Sequence, residues 1–136
     1  MSAAPAHPLG LTFASFAALG PSAGFTSADW AVDAGYSSFW VAETTGLEAF
    51  STLAAIGAAQ PTLGLGTGVL ATQLRTPGVT AMGAATLQAL HPERDIFLGI
   101  GVSSPAVVSR WHGAEYGDRP LAQMREELTL LRMCLS

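Results

Sequence analysis

The chain has 136 residues, 49% of them hydrophobic and 12% charged. That is about one domain, and too apolar for a disordered segment. Six arginines and no lysine face ten acidic residues, a net charge of -4, so the basic stripe of a nucleic-acid binder is missing.

Cys134 is the single cysteine, which excludes an intrachain disulfide and makes a cytoplasmic setting the default expectation. His7, His91 and His112 are far apart and have no cysteine pair, so no metal site is expected. Met1 to Pro8 carries no Lys or Arg ahead of the apolar stretch Leu9–Leu19, which argues against a signal peptide. No apolar run of about 20 residues is present, so no membrane span is expected.

Leu9–Ala14 reads as a first strand, and Gly20-Pro-Ser-Ala-Gly24 as a loop. Thr26 or Ser27 caps a helix with Asp29 in its first turn, stopping near Gly35. Ser38–Ala42 is a second strand. Leu47–Ala59, with Phe50, Leu53 and Ile56 at helical spacing, is a second helix that Pro61 ends. Thr62–Leu70 is the third strand and Gly78–Leu90 the third helix. Ile96–Ile100 is a fourth strand, and Pro105–Trp111 a short helix. Leu121, Met124, Leu128, Leu131 and Leu135 then predict one buried face of a last helix, with Glu126 and Glu127 on its exposed side. The alternation, with strands apolar on both faces, predicts an α/β fold built on a parallel sheet.

The stretch LGLGTGVLATQLRTP, Leu63 to Pro77, sets Gly64, Gly66 and Gly68 on one side of a strand. Gly66-Thr-Gly68-Val-Leu-Ala71 matches the dinucleotide fingerprint in form. Thr72–Thr76 intervene before the helix, however, so its amides cannot face a pyrophosphate. Gly99 and Gly101 repeat the pattern on the neighbouring strand. Two readings stay open: a slot for a flat ligand, or room for large side chains such as Phe13 or Trp40.

These stretches together, with SFWVAE at Ser38–Glu43, DIFLGIGVSSPAVVSRWHG and the ending RPLAQMREELTLLR, resemble the bacterial luciferase-like family of flavin-dependent oxidoreductases and monooxygenases. The likeness is strongest to the branch that uses the deazaflavin coenzyme F420, and it runs from about Leu9 to Arg132. It implies a TIM-barrel fold with F420 or FMN bound at the C-terminal ends of the strands, acting on a small-molecule substrate by hydride transfer or oxygen activation. It also implies a bulge after the third strand, with a non-proline cis peptide, at Gly68 and Val69. Ala71, Val102, Ser103 and Ser104 match other flavin-contacting positions, and Glu43 matches the acidic residue ending the second strand.

Some positions depart from the family. Thr44 and Thr45 stand where family dehydrogenases carry a catalytic His and luciferase a His pair, and Ser104 stands in place of an acid. A hydroxyl does not replace imidazole as a proton carrier near neutral pH, so no catalytic residue is assigned. Asp95 is expected at a solvated strand start, paired with Arg94. Arg75 is expected to be solvated, and His112 to serve packing or capping.

A (β/α)8 barrel takes roughly 250 residues. The chain therefore reads as a single domain, 1–136, equivalent to the N-terminal half of such a barrel, with about four βα units. Open edges on its first and last strands predict a homo-oligomer or a second chain that completes the barrel. The alternative to an enzyme is a non-catalytic half-barrel unit that oligomerises and only binds flavin.

Overall fold

A computed structural model describes residues 8–136; His7 lies outside the described residues. Four parallel strands, β1 (Gly10–Thr12), β2 (Ser38–Val41), β3 (Gly64–Thr67) and β5 (Ile96–Phe97), form a sheet in that order. Past β3 and β5 the same two chain segments pair again as β4 (Leu70–Ala71) and β6 (Ile100–Gly101). Sequential order with helical crossovers is the winding of a barrel wall; a doubly wound sheet would reverse its order. The fold is thus α/β, made of parallel βα units of the TIM-barrel type.

The helices are α1 (Pro21–Asp33), α2 (Ala49–Ala59), α3 (Pro77–Leu90) and α4 (Pro120–Cys134). α1 starts earlier than the Thr26 or Ser27 cap predicted from the sequence. Gly20 has a φ of 84° and turns the chain, and Pro21 takes the first helical position, where its missing N–H costs no hydrogen bond. The stretch read as a loop is therefore the first turn of the helix. Ala14–Leu19, ahead of it, is a 3-10 helix. Glu48 caps α2 by accepting from Phe50 N (3.2 Å) and Ser51 N (2.7 Å). Thr76 caps α3 through Val79 N. The short helix after β6, Ala106–Trp111, is wound as a π-helix.

The core lies between the sheet and its helices. Phe39, Val41, Leu65, Leu53, Ile56, Leu63 and Leu87 are buried there, with Phe13 against Phe39 at 6.0 Å. The other face of the sheet, which lines a barrel's interior, carries the Trp40 and Phe97 rings, stacked at 5.1 Å. Phe97 is still 40% exposed. The strands are therefore covered by helices on one face, while the inner face is open among the described residues.

The last helix departs from its predicted face. α4 packs on α3 through buried Glu127 and Leu131, while Leu121 is 75% exposed and Leu128 and Leu135 are also exposed. Glu127 thus belongs to the packed side, not the solvated one; Glu126 is exposed as expected. The apolar stripe is real, but only Leu131 of it is buried, with Met124 half-buried.

Candidate functional site at the C-terminal rim

Strand direction sets the rim. The loops after β2, β4 and β6 emerge together at the C-terminal ends of the strands, where barrel enzymes carry their chemistry. Glu43 N donates to the Val69 carbonyl (3.3 Å), and Thr72 N donates to the Gly101 carbonyl (3.0 Å). These bonds bring the chain around Glu43, Val69, Ala71 and Val102–Ser104 into one neighbourhood. The peptide bond between Gly68 and Val69 is cis, the feature that the family resemblance implies there.

The glycines are not a bare slot. A Cβ on Gly66 would lie 2.4 Å from the Trp40 ring, and one on Gly68 3.4 Å from it. One on Gly64 would lie 3.2 Å from the Phe97 ring, and one on Gly101 2.7 Å from Val69 Cγ2. At Gly99 the neighbour is backbone, the Thr67 carbonyl oxygen at 2.1 Å. Of the two readings left open by the sequence, room for large side chains is the one observed along β3. The Thr67 hydroxyl donates to the Gly99 carbonyl and accepts from Gly99 N, both at 2.8 Å. That buried clasp pins the two segments where β3 and β5 end and β4 and β6 have yet to begin.

What stays open is further along the rim. Val69 is 44% exposed, a branched apolar side chain standing over Gly101. Val102 and Ser103 are half-buried and Ser104 is exposed; Ala71 is buried and Gly68 half-buried. Ser104 also begins the π-helix, its hydroxyl accepting from Val107 N.

Glu43 is fully engaged. Its carboxylate accepts from Ala49 N (2.9 Å), from Arg75 Nε (3.0 Å) and from Arg75 Nη2 (2.8 Å). Arg75 also bonds Glu48, and its guanidinium lies over the Phe50 ring at 5.4 Å. The expectation of a solvated Arg75 is therefore wrong: its side chain is 17% exposed and clamps two loops. Hydrogen bonding to Glu43 holds the guanidinium charged, outweighing the opposing effect of burial. Burial pushes the Glu48 carboxyl up, but the bonds from Ser51 and Phe50 and the charge of Arg75 bring it below the ordinary value. No local pattern announces this trio, since Glu43 and Arg75 are 32 residues apart.

Other expectations resolve similarly. Arg94 does not pair with Asp95; it donates to the Gly57 carbonyl (2.6 Å), while Asp95 is exposed and its carbonyl accepts from Leu65 N. The α2 backbone at Gly57 passes close enough to draw the guanidinium inward. His112 Nε2 meets the Thr44 carbonyl at 2.6 Å, a tether between two rim loops rather than a free base. Among the described residues, no group of three or more His, Cys, Asp or Glu could hold a metal ion, and no helix is long and apolar enough to cross a membrane.

The sequence matches the family described as luciferase-like monooxygenase over residues 22–136. A putative coenzyme F420-dependent oxidoreductase of Mycobacterium tuberculosis is 41% identical over 102 residues, which is 75% of this chain and 29% of that relative. The chain thus spans under a third of that protein's length. The fold is similar to the oxygenating constituent of 3,6-diketocamphane monooxygenase from Pseudomonas putida, a type II Baeyer-Villiger monooxygenase in complex with FMN. The TM-score is 0.75 at 20% identity, covering 93% of this chain and 39% of that one. It is also similar to the coenzyme F420-dependent tetrahydromethanopterin reductase of Methanopyrus kandleri, with a TM-score of 0.69 at 18% identity, covering 91% and 38%. With the βα order, the rim and the sequence match in agreement, this chain belongs to the luciferase-like monooxygenase family.

Proposed function

We propose that the chain forms the coenzyme seat of an oxidoreductase that uses F420 or FMN on a small organic substrate. The carrying observation is the open patch at the rim: Val69, 44% exposed, beside Val102, Ser103 and Ser104. Apolar Val69 and Val102 suit the flat face of a ring system, and the serine hydroxyls suit its polar edge. The Mycobacterium tuberculosis relative supports F420, and the Pseudomonas putida structure supports FMN.

The coenzyme, when bound, supplies hydride transfer or oxygen activation. The chain's own residues hold and shield one face of the ring. Glu43 acts as a rim clamp, because its carboxylate is shared between Arg75 and Ala49 N. Thr44 and Thr45 offer only hydroxyls, and His112 is tied to Thr44. Proton delivery in this reading therefore comes from substrate, water or groups outside these loops.

Titration of FMN and of F420 into the purified chain, followed by coenzyme fluorescence, tests the seat. Val69→Asp is expected to weaken binding about tenfold, because a charge replaces an apolar contact. Failure of both coenzymes to bind at about 1 mM, an affinity of only about 4 kcal/mol, overturns the reading.

A further inference from the structure

Gly68 and Val69 are gripped from both sides. Toward β2, Gly68 N donates to the Val41 carbonyl (2.8 Å) and the Val69 carbonyl accepts from Glu43 N (3.3 Å). Toward the other neighbour the strand pairing breaks: β3 pairs with β5 as far as Gly66 and Phe97, and β4 with β6 only from Leu70 and Ile100. The Thr67 hydroxyl fills that gap. It donates to the Gly99 carbonyl and accepts from Gly99 N, both at 2.8 Å, on a residue that is 1% exposed. The same Gly99 carbonyl accepts from Leu70 N at 3.0 Å. The chain on either side of Gly68 and Val69 is therefore tied to one oxygen atom of the neighbouring segment.

Val69 rests on that segment. A Cβ on Gly99 would lie 3.4 Å from Val69 Cγ1, and one on Gly101 2.7 Å from Val69 Cγ2. Both methyl groups thus sit over bare glycine backbone, and the rest of the side chain stands free at the rim. The course of Gly99–Gly101 sets the height of Val69, and Thr67 is the side chain that fixes this course against β3. A hydroxyl both gives and takes a hydrogen bond. Valine, of the same shape, would leave the Gly99 N–H without that partner, and an unpaired polar group moves toward one or costs stability.

We propose that Thr67 is a positioning residue for the coenzyme: through Gly99 and Gly101 it holds Val69 at the level where a flat ring rests on it. This role rests on the coenzyme seat proposed above and adds the buried group that sets its geometry. Sites need such support because contact groups must be held to within about 0.5 Å.

FMN and F420 are titrated into the purified chain and its variants, at a temperature where circular dichroism shows each protein folded. Thr67→Val is expected to raise the dissociation constant about tenfold, and Thr67→Ser, which keeps the hydroxyl, to stay within about twofold of the unaltered chain. Ile56→Val loosens the core on the helix side of the sheet and is expected to lower the melting temperature with the dissociation constant unchanged; a merely structural Thr67 would give the same result in Thr67→Val. Gly101→Ala reaches Val69 without touching Thr67, and it decides the matter where Thr67→Val does not fold. It is expected to weaken binding about tenfold, and far less in a Val69→Ala background, where Cγ2 is gone. Equal affinities in the unaltered chain and Thr67→Val overturn the proposal and leave the coenzyme reading standing. So do equal losses in Thr67→Ser and Thr67→Val, or a Gly101→Ala effect that does not depend on Val69. An unaltered chain that binds neither coenzyme overturns both.

Discussion

Arg75 carries more of the rim than any other side chain. It bonds both oxygens of Glu43, reaches Glu48 and covers the Phe50 ring. Removing it leaves the Glu43 carboxylate with the Ala49 amide as its remaining partner in a site where 14% of the side chain is exposed. Arg75→Met is expected to destabilise the chain by about 2–3 kcal/mol, below the full cost of a deeply buried pair. Glu43→Gln in the same background should add less than it does alone, measured by urea unfolding in a double-mutant cycle. Glu127 works in the opposite sense. Burial raises its carboxyl above the ordinary value, so the folded state prefers it protonated. Its contribution is full below the unfolded value of 4.5 and is lost as pH rises through the higher folded value. Glu127→Gln is therefore expected to stabilise the chain at neutral pH and to have little effect near pH 4, read from urea midpoints at both.

At the scale of elements, β3 shows why glycine recurs. Its inner face meets the Trp40 indole, which sits where a Gly66 side chain would be. Gly66→Ala is expected to cost about 1–3 kcal/mol through overpacking, and Trp40→Leu in the same chain should recover part of that loss. Gly99→Ala is expected to cost more, and no side-chain change should rescue it, because the obstruction is the Thr67 carbonyl. Thermal unfolding of the three variants checks the order; equal losses at both glycines, or no recovery with Trp40→Leu, would contradict the steric account. α2 and α3 were readable from the sequence because Phe50, Leu53 and Ile56 recur at helical spacing before Pro61, and Pro77 opens the run to Leu90; the Glu48 and Thr76 caps came only from the structure. The start of α1 was not readable, because Gly20 and Pro21 serve a turn and a helix N-terminus with the same residues.

Across the whole molecule, the exposed Val69 marks the rim proposed as the coenzyme seat. A coenzyme that binds only the folded chain stabilises it by mass action, by about 2.7 kcal/mol at a hundredfold excess over the dissociation constant. A rise in melting temperature with FMN or F420, absent in Val69→Asp, is the expected result. A rise that persists in Val69→Asp would move the ligand away from the rim.

The fold class followed from the sequence, because it depends on local signals: apolar runs of strand length alternating with helical spacing. The rim residues came only with the family likeness. The family likeness rested on the same linear order. Tertiary structure alone decided what covers the glycines, where Arg75 and Arg94 turn, and which flank of α4 is buried. Each of those outcomes depends on groups about 26 to 43 residues apart, or on a neighbour that an apolar stripe needs but cannot name. A periodic pattern states that a face is apolar; only packing selects which part of it finds a partner.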